Sequence, residues 1–182
     1  MKKAIFLDRD GVINEDIGYT YRIDDFKLLK GVLEGLRVFR KLDYEIIIVT
    51  NQAGIARGFF SVDDFRMFMK YLINTLNKNK IQVLDYFFCP HHPEGKIELY
   101  SKKCRCRKPG VGMLEEAKEK HDVDFSKSII IGDKESDILA GINAGLLSHI
   151  LISDNPSTQN SLASYIAKDL IEASDIVARY LV

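Results

Sequence analysis

Two carboxylates separated by one residue follow a short apolar run near the start of the chain. Asp8 and Asp10 come directly after Ala4–Leu7, and Gly11 follows them. In an extended segment, side chains at positions i and i+2 share a face, so two such anions repel unless a cation or a shared proton intervenes. A hard divalent ion such as Mg²⁺ suits oxygen ligands and commonly adds substrate phosphate to its coordination shell. The pair therefore predicts a magnesium site with phosphate chemistry.

Two more strand-like apolar runs end in polar residues. The run Ile129–Gly132 leads into Asp133, and Asp137 follows one helical turn later. The run Ile47–Val49 leads into Thr50, two amides and a glycine-containing turn whose backbone N–H groups can cradle a phosphate. Since the carboxyl ends of parallel strands meet at one edge of a sheet, we expect these groups to share a crevice with the first carboxylate pair.

Two cations complete this set. Arg107 and Lys108 precede Pro109, which is well placed to open a helix, and a helix start also favours anions. Each residue of the set, taken alone, could equally be a helix cap, a solvated end or an ordinary strand residue. The four positions together are hard to explain as caps, so we interpret them as one catalytic site.

All three cysteines of the chain lie in one segment. Cys89 and His91 stand two residues apart, and Cys104 and Cys106 follow on the far side of a long gap. Three thiolates and one imidazole match the tetrahedral coordination of structural Zn²⁺. We therefore predict a closed zinc site that pins the loop at about residues 89–108. His92 is the alternative imidazole ligand, and separate free thiols are the alternative to a metal.

Short apolar runs alternate with amphipathic stretches along the chain. Strands are expected at 3–7, 45–50, 83–88, 128–132, 149–152 and 165–167. Helices are expected at 33–42, 62–76, 109–117, 133–144 and 169–181. This alternation predicts an α/β fold, a Rossmann-like three-layer sandwich with a mostly parallel sheet, in a single domain over residues 1–182. A polar surface loop is expected at 153–160, and two long segments, 9–30 and 90–108, fit neither element.

The composition bounds the partners of the protein. Of 182 residues, 26 are basic and 26 are acidic, so no overall field attracts DNA or an anionic membrane. The apolar runs are strand-sized and fall far short of the roughly 20 residues that cross a bilayer. The start of the chain lacks the apolar region of a signal peptide. We expect a cytoplasmic monomer without a membrane or nucleic-acid partner.

The acid, hydroxyl and base positions resemble, in order and spacing, the four motifs of the haloacid dehalogenase (HAD) superfamily of phosphohydrolases. The matching segments are Phe6-Leu7-Asp8-Arg9-Asp10-Gly11-Val12, Thr50, Lys108 and Gly132-Asp133-Lys134-Glu135-Ser136-Asp137. The resemblance implies a HAD-like phosphatase domain with a minimal cap. It also implies that Asp8 is the nucleophile that forms an aspartyl phosphate. Asp10 is then the acid that protonates the leaving oxygen and later activates water.

The same resemblance assigns the metal and phosphate ligands. It implies that Asp8, Asp133 and the backbone carbonyl of Asp10 hold Mg²⁺, with Asp137 in support. It further implies that Thr50 and Lys108 bind the remaining phosphoryl oxygens, and that Arg107 is a further catalytic residue.

Two segments narrow the resemblance. Cys89-Pro90-His91-His92-Pro93 with Cys104-Arg105-Cys106-Arg107-Lys108-Pro109, and Thr50-Asn51-Gln52-Ala53-Gly54-Ile55-Ala56-Arg57-Gly58, resemble the D-glycero-D-manno-heptose 1,7-bisphosphate 7-phosphatases. Those enzymes serve the synthesis of nucleotide-activated heptose for lipopolysaccharide and related glycans. Histidinol-phosphate phosphatases carry a similar zinc loop with a much shorter gap between its halves, so the heptose enzyme is preferred. Many members carry serine where this chain has Ala53.

The resemblance also implies a small sugar bisphosphate as the partner. A bisphosphate needs charge compensation at both ends, which arginine and lysine supply. The implied substrate contacts are Asp16, Ile17, Gly18, Tyr19, Thr50, Asn51, Gln52, Ala53, Arg107, Lys108 and Lys134. The segment 16–19 could equally be an ordinary turn.

A binding module is the alternative from another class. Five cations crowd around two of the predicted zinc ligands, as in a nucleic-acid-binding knuckle. They are Lys102, Lys103, Arg105, Arg107 and Lys108. No aromatic residues interleave with this run, and the catalytic acids would be left without a purpose. A DNA 3′-phosphatase of the same superfamily is a milder form of this alternative.

Overall fold

Six parallel strands form one sheet over residues 1–155 and 160–182, which the computed structural model describes. The strands are β1 (Ala4–Leu7), β2 (Glu45–Asn51), β3 (Asp85–Cys89), β4 (Ile129–Gly132), β5 (Ser148–Ile152) and β6 (Tyr165–Ala167). Their order across the sheet is β3-β2-β1-β4-β5-β6, and each neighbouring pair is parallel. The chain leaves β1 in one direction for β2 and returns to its other side for β4, and a ligand crevice forms beyond the strands at such a point.

Helices cover both faces of this sheet. They are α1 (Val32–Lys41), α2 (Ala53–Ala56), α3 (Val62–Lys78), α4 (Gly112–His121), α5 (Glu135–Ala144) and α6 (Leu170–Tyr180). At the start of α3, the hydroxyl of Ser61 accepts the N–H of Asp64, and the Asp64 carboxylate accepts the N–H of Ser61. This reciprocal cap satisfies backbone donors that the first turn leaves free, which explains why the helix begins there.

Alternate residues along each strand belong to two separate apolar cores, one on each face of the sheet. In β1, Ile5 and Leu7 pack with side chains of α1, α3 and α6, whereas Ala4 and Phe6 pack with side chains of α4 and α5. All four side chains are fully buried. Burial on both faces explains why the strands read as continuous apolar runs without alternation. The predicted three-layer α/β sandwich is confirmed.

The start of α4 was predicted wrongly. The helix begins at Gly112 and not at Pro109. The N–H of Gly110 donates to the carbonyl of Arg107 (2.7 Å), and the N–H of Gly112 donates to the carbonyl of Arg105 (2.9 Å). Both N–H groups thus bond to carbonyls of the preceding loop, and the helix begins after that loop.

Other differences are small. The two segments predicted to fit neither element each contain a short 3₁₀ helix, Ile23–Asp25 and Glu98–Tyr100. The turn expected after β2 forms α2, and α5 begins two residues later than expected because Lys134 has an extended backbone. The loop expected at 153–160 falls partly on residues 156–159, which lie outside the described residues. Within the described ranges, no helix has both the length and the apolar character that a membrane span requires.

Candidate active site

A cavity of about 460 Å³ lies beyond the carboxyl ends of β1, β2 and β4. Its walls come from the segments that follow these strands and from the end of the cysteine-containing loop. The lining residues are Asp8, Asp10, Asp16, Gly18, Tyr19, Asn51, Gln52, Ala53, Arg107, Lys108, Lys134, Ser136 and Asp137. Two predicted substrate contacts are not among them. Ile17 is 58% exposed, and Thr50 is buried beneath the cavity floor.

Two of the lining carboxylates, Asp8 and Asp137, lie close to Asp133, which is not among the lining residues, and we call these three residues the acid cluster. Each has an oxygen within 4.8 Å of an oxygen of the others. Two glycines permit this approach, because a Cβ on Gly11 would lie 2.5 Å from Asp133 Oδ2 and one on Gly132 would lie 2.2 Å from Asp137 Cβ. The sequence signal Asp-x-Asp-Gly therefore has a steric basis as well as a chemical one.

The electrostatics of the acid cluster favour a bound cation. Burial, and then the charge of Asp8, raises the pKa of Asp133 to about 7. Burial also raises the pKa of Asp137, although Lys108 opposes this effect. Asp133 Oδ1 is buried and accepts no hydrogen bond from any described residue. A carboxylate oxygen without a donor, beside two more acids, fits the donor set of Mg²⁺.

Lys108 is a fixed, buried cation. Its ammonium lies 3.0 Å from Asp8 Oδ1 and 2.6 Å from Asp137 Oδ1, and it donates to the carbonyl of Val49 at 2.6 Å. The contact with Asp8 is an ion pair at poor hydrogen-bonding angles, since Asp8 Oδ1 has no hydrogen-bond partner in the described chain. Burial opposes the positive charge, but Asp8 and Asp137 outweigh it and raise the pKa of Lys108.

The side chain of Asn51 holds Lys108 in place through its backbone. The amide nitrogen of Asn51 donates to the carbonyl of Lys108 (3.1 Å), and the N–H of Lys108 donates to the amide oxygen of Asn51 (3.0 Å). This paired contact ties the end of the cysteine-containing loop to the end of β2. Asn51 thus acts on the backbone while it also lines the cavity.

Asp10 lines the same cavity but is not part of the acid cluster. Its carboxylate accepts hydrogen bonds from the guanidinium of Arg9 (2.6 to 3.0 Å), from Asn14 Nδ2 (2.9 Å) and from Gln52 Nε2 (3.0 Å). The same Gln52 nitrogen donates to Thr50 Oγ1 at 2.9 Å. These donors fix the orientation of Asp10 and link it to the buried Thr50.

Sequence reasoning missed Arg9 and Asn14. Arg9 is fully buried, donates to the carbonyl of Thr20 at 2.6 Å and packs over the ring of Phe68 at 4.6 Å. Asn14 is also buried. The sequence did offer a signal for Arg9, which stands between two acids directly after a buried strand. A buried arginine needs a carboxylate partner. Nothing in the sequence distinguished Asn14 from a surface residue.

Lys134 stands at the mouth of the cavity. Its ammonium lies 3.5 Å from Asp16 Oδ2 and 3.6 Å from Asp133 Oδ2. Burial lowers the pKa of Lys134, but Asp133, Asp8 and Asp16 together raise it above its ordinary value. The segment 16–19 therefore lies over the acid cluster, and the ring of Tyr19 packs against that of Phe59 at 4.6 Å.

The predicted zinc ligands converge, and we call Cys89, His91, Cys104 and Cys106 the Cys/His cluster. The three sulfurs lie 3.0 to 3.5 Å apart, and His91 Nδ1 lies 3.2 Å from the sulfur of Cys106. These distances exceed a disulfide bond and approach the roughly 3.8 Å edge of a zinc–thiolate tetrahedron. The alternative ligand His92 is outside the group.

The thiols of the Cys/His cluster are strongly coupled. A hydrogen bond with Cys89, followed by contacts with His91 and Cys104, lowers the pKa of Cys106 to about 5, and the same Cys106 contact raises the pKa of Cys89. Thiolate is the form that binds a metal. Three thiols and an imidazole that leave no open position fit structural Zn²⁺ rather than a catalytic ion.

Comparisons with known proteins agree with this geometry. A family model described as "HAD-hyrolase-like" matches residues 105–178. The chain is 41% identical over 176 residues to D-glycero-alpha-D-manno-heptose-1,7-bisphosphate 7-phosphatase of Photorhabdus laumondii, which covers 96% of each chain. It is 41% identical over 182 residues to D-glycero-beta-D-manno-heptose-1,7-bisphosphate 7-phosphatase of Haemophilus influenzae, which covers 98% of each.

A solved structure of a heptose bisphosphate phosphatase also matches this chain. The D,D-heptose 1,7-bisphosphate phosphatase of B. bronchiseptica, complexed with magnesium and phosphate, superposes with a TM-score of 0.83 at 27% identity and covers 97% of this chain and 98% of that chain. The resemblance predicted from the motifs is confirmed. The chain belongs to the heptose-1,7-bisphosphate 7-phosphatase family of HAD-like phosphatases.

Proposed function

We propose that the protein is a magnesium-dependent phosphomonoesterase that removes the 7-phosphate of D-glycero-D-manno-heptose 1,7-bisphosphate in the synthesis of nucleotide-activated heptose. The convergence of three acids and a buried lysine carries this proposal, since two of these acids and the lysine line the cavity. Relatives that align with nearly the whole chain are named as phosphatases of this sugar bisphosphate. No observation favours the histidinol-phosphate, DNA 3′-phosphatase or nucleic-acid-binding alternatives.

Asp8, Asp133 and the backbone carbonyl of Asp10 are the proposed magnesium ligands, with Asp137 in support. When bound, the ion neutralises charge on the phosphoryl group as it transfers. Asp133 contributes an oxygen that lacks any donor in the described chain, and Asp137 is oriented by the N–H of Lys134 at 3.1 Å. These residues hold the ligand oxygens on one side of the cavity.

The first proposed step forms a covalent intermediate. A carboxylate oxygen of Asp8 attacks phosphorus, the bond from phosphorus to the sugar oxygen breaks, and Asp10 donates a proton to that oxygen as it leaves. Arg9, Asn14 and Gln52 hold the Asp10 carboxyl in one orientation for this transfer. The dephosphorylated sugar then leaves with its new hydroxyl group.

The second proposed step releases phosphate. Asp10 takes a proton from a water molecule, the water oxygen attacks phosphorus, and the bond from phosphorus to Asp8 breaks to restore the free carboxylate. Lys108 lies 3.0 Å from Asp8 and stabilises negative charge in both steps. Thr50 and Lys108 are the proposed ligands of the remaining phosphoryl oxygens, and Arg107 is a further proposed catalytic residue. Arg107 lines the cavity, whereas Thr50 is buried and accepts a hydrogen bond from Gln52, which does line it.

Zinc at the Cys/His cluster has a proposed structural role. It would fix the ends of the loop at about 89–108, whose last residues are the cavity-lining Arg107 and Lys108. The loop also rests on α2, because the N–H groups of Lys96 and Ile97 donate to the carbonyl of Ala56 at 2.7 and 2.9 Å. We further propose that residues 1–182 act as one domain, as a cytoplasmic monomer without nucleic-acid or membrane partners, in keeping with the zero net charge.

A phosphate-release panel tests the function. The substrates are both anomers of heptose 1,7-bisphosphate, histidinol phosphate and a 3′-phosphorylated oligonucleotide, each with and without Mg²⁺. We expect magnesium-dependent release from the heptose bisphosphate at a kcat/KM at least about a hundredfold above the other two classes, which requires a difference of about 3 kcal/mol in transition-state binding. Preferred hydrolysis of the oligonucleotide or of histidinol phosphate would overturn the proposal.

A further inference from the structure

Arg9 and Asn14 are fully buried side chains that both hold the carboxylate of Asp10. Arg9 donates to Oδ1 through Nε and Nη2, at 3.0 and 2.7 Å, and to Oδ2 through Nη2 at 2.6 Å. Asn14 donates to Oδ1 through Nδ2 at 2.9 Å. Oδ1 is therefore held by two buried residues, whereas Oδ2 also contacts Gln52, which lines the cavity.

The same two residues bind both ends of the segment 15–20. Nη2 of Arg9 donates to the carbonyl of Thr20 at 2.6 Å, and Nδ2 of Asn14 donates to the carbonyl of Glu15 at 2.8 Å. The hydroxyl of Thr20 donates to that same Glu15 carbonyl at 3.3 Å, so the segment is closed at its base. Residues between these two ends line the cavity and are proposed substrate contacts.

The surroundings of Arg9 fix its position. Its guanidinium lies 4.6 Å from the ring centroid of Phe68 and 5.6 Å from that of Phe65, both on α3. Its backbone carbonyl accepts the N–H of Asn14 at 3.2 Å. A buried cation is costly unless it is paired, so Arg9 and the carboxylate of Asp10 keep one relative position.

We infer that Arg9 and Asn14 are positioning residues for the two proposed proton transfers. They hold Asp10 against the base of the segment that carries substrate contacts, and they take no part in the attack by Asp8. The carboxylate of Asp8 is paired instead with Lys108, at 3.0 Å. A positioned acid or base must lie within hydrogen-bond reach of the oxygen that it serves, so its supports affect proton transfer first. This inference rests on the proposed function, in which Asp10 is the acid and base.

An activated ester separates the attack from the proton transfers. With p-nitrophenyl phosphate, an oxygen of Asp8 bonds to phosphorus, and p-nitrophenolate leaves with the bonding electrons and without a proton. Hydrolysis of the aspartyl phosphate still requires Asp10 to take a proton from water. The initial burst of p-nitrophenolate therefore measures the attack, and later turnover measures the second step. The leaving oxygen of heptose 1,7-bisphosphate, in contrast, needs a proton in the first step.

The variants remove the donors and keep the volume. Arg9→Met retains an unbranched buried side chain, Asn14→Leu is close to the amide in size, and Arg9→Lys retains the charge. Arg40→Met is the matched control, because Arg40 also donates to a carboxylate, that of Glu45, and to a backbone carbonyl, that of Tyr44. These contacts lie at the start of β2, at the opposite edge of the sheet from the cavity.

We expect kcat on heptose 1,7-bisphosphate to fall by about a hundredfold in Arg9→Met and about tenfold in Asn14→Leu, because acid–base catalysis contributes about 10²–10⁴-fold. On p-nitrophenyl phosphate, both variants should release about one p-nitrophenolate per enzyme at a rate near that of wild type, followed by slowed turnover. Arg9→Lys should recover part of the loss. Arg40→Met should stay within about twofold of wild type on both substrates.

A double-mutant cycle shows whether Arg9 acts through Asp10. In an Asp10→Asn background, Arg9→Met should lower kcat on heptose 1,7-bisphosphate by less than about twofold, because residues that act as a unit are not additive. Asn14→Leu in the same background should behave alike, and it decides the outcome if Arg9→Met does not fold.

Three outcomes would overturn the inference while the proposed function stands. They are loss of the p-nitrophenolate burst together with turnover in Asn14→Leu, full additivity with Asp10→Asn, and unchanged kcat in both single variants. A wild type that releases no phosphate from heptose 1,7-bisphosphate would instead remove the proposed function, and the inference with it.

Discussion

Asp8 and Asp10 stand two residues apart and have opposite surroundings. Asp8 faces two other carboxylates and the ammonium of Lys108, whereas Asp10 faces only hydrogen-bond donors. Gly11 has a φ of +79°, so the chain turns directly after the pair. The two surroundings match the proposed roles, in which Asp8 attacks phosphorus and Asp10 moves a proton.

Replacing the proposed nucleophile should abolish turnover and leave the fold intact. Asp8→Asn is nearly isosteric, and it keeps Asp137 as a partner for the buried Lys108. We expect phosphate release to fall by more than about a thousandfold, because an amide cannot form the aspartyl phosphate. The exposed Asp24→Asn serves as the control. Near-normal phosphate release by Asp8→Asn would refute the assignment.

The raised pKa of Asp133 predicts how stability depends on pH without magnesium. The folded-state pKa of about 7 exceeds the ordinary value of 3.8. Between these two pH values the folded protein keeps a proton that the unfolded chain releases. The contribution of Asp133 to the free energy of unfolding is therefore fully present below about pH 4 and is lost as the pH rises through about 7. Asp133→Asn cannot ionise, and in magnesium-free buffer it should become more stable than wild type at about pH 8, by a few kcal/mol.

Urea unfolding at several pH values measures this difference. Added Mg²⁺ should raise the free energy of unfolding of the wild type relative to that of Asp133→Asn, because the cation stabilises the ionised carboxylates and the amide is a poorer ligand. A stability difference between the two proteins that stays constant from about pH 4 to pH 8 would show that the carboxyl is not perturbed.

At the scale of elements, the strands and the members of the Cys/His cluster could be predicted from the sequence because their signals are local. A strand buried on both faces is a continuous apolar run, and Cys89 with His91, or Cys104 with Cys106, is visible as a close pair. The start of α4 could not be read, since it depends on backbone bonds within residues 105–112. The partners of Asp10 could not be read because they depend on how the loop after β1 folds back.

Loss of the Cys/His cluster should affect the active site more than the core. Cys104 is partly exposed and only borders the second apolar core. Cys104→Ser should lose zinc and lower kcat/KM for the bisphosphate by about tenfold or more, because Arg107 and Lys108 end the same loop. The melting temperature should fall by only a few degrees. The neighbouring Lys103→Ser, at an exposed position, is the control.

Metal analysis and kinetics on the same preparations decide this prediction. A purified wild type that contains no zinc and is fully active would dispose of the structural role. A Cys104→Ser variant that unfolds globally, with no active folded fraction, would show instead that the cluster supports the core.

Across the whole molecule, the residues of the apolar cores and the residues of the acid cluster occupy different parts of the sheet. Side chains inside the sandwich come from both faces of β1, while the acid cluster gathers residues that lie far apart in sequence at the carboxyl edge. The strand order brings β1 and β4 side by side, so Asp8 and Asp133 meet although 125 positions separate them. Parallel pairing is therefore what brings two acids that are distant in sequence together in the acid cluster.

Substitution of two glycines tests whether the core and the acid cluster are separate, because at each position an added methyl group would contact neighbouring atoms. A Cβ on Gly35 would lie 2.4 Å from the carbonyl oxygen of Leu170, where α1 packs on α6, and one on Gly11 would lie 2.5 Å from Asp133 Oδ2. Gly35→Ala should lower the unfolding free energy by about 1–2 kcal/mol, after the helix-propensity gain, and leave kcat and the magnesium requirement unchanged. Gly11→Ala should also raise the Mg²⁺ concentration for half-maximal activity by about tenfold or more, because it displaces a ligand. Magnesium titrations of activity, paired with urea unfolding, measure both effects, and an equal shift in magnesium requirement for the two variants would show that the acid cluster is not a distinct unit.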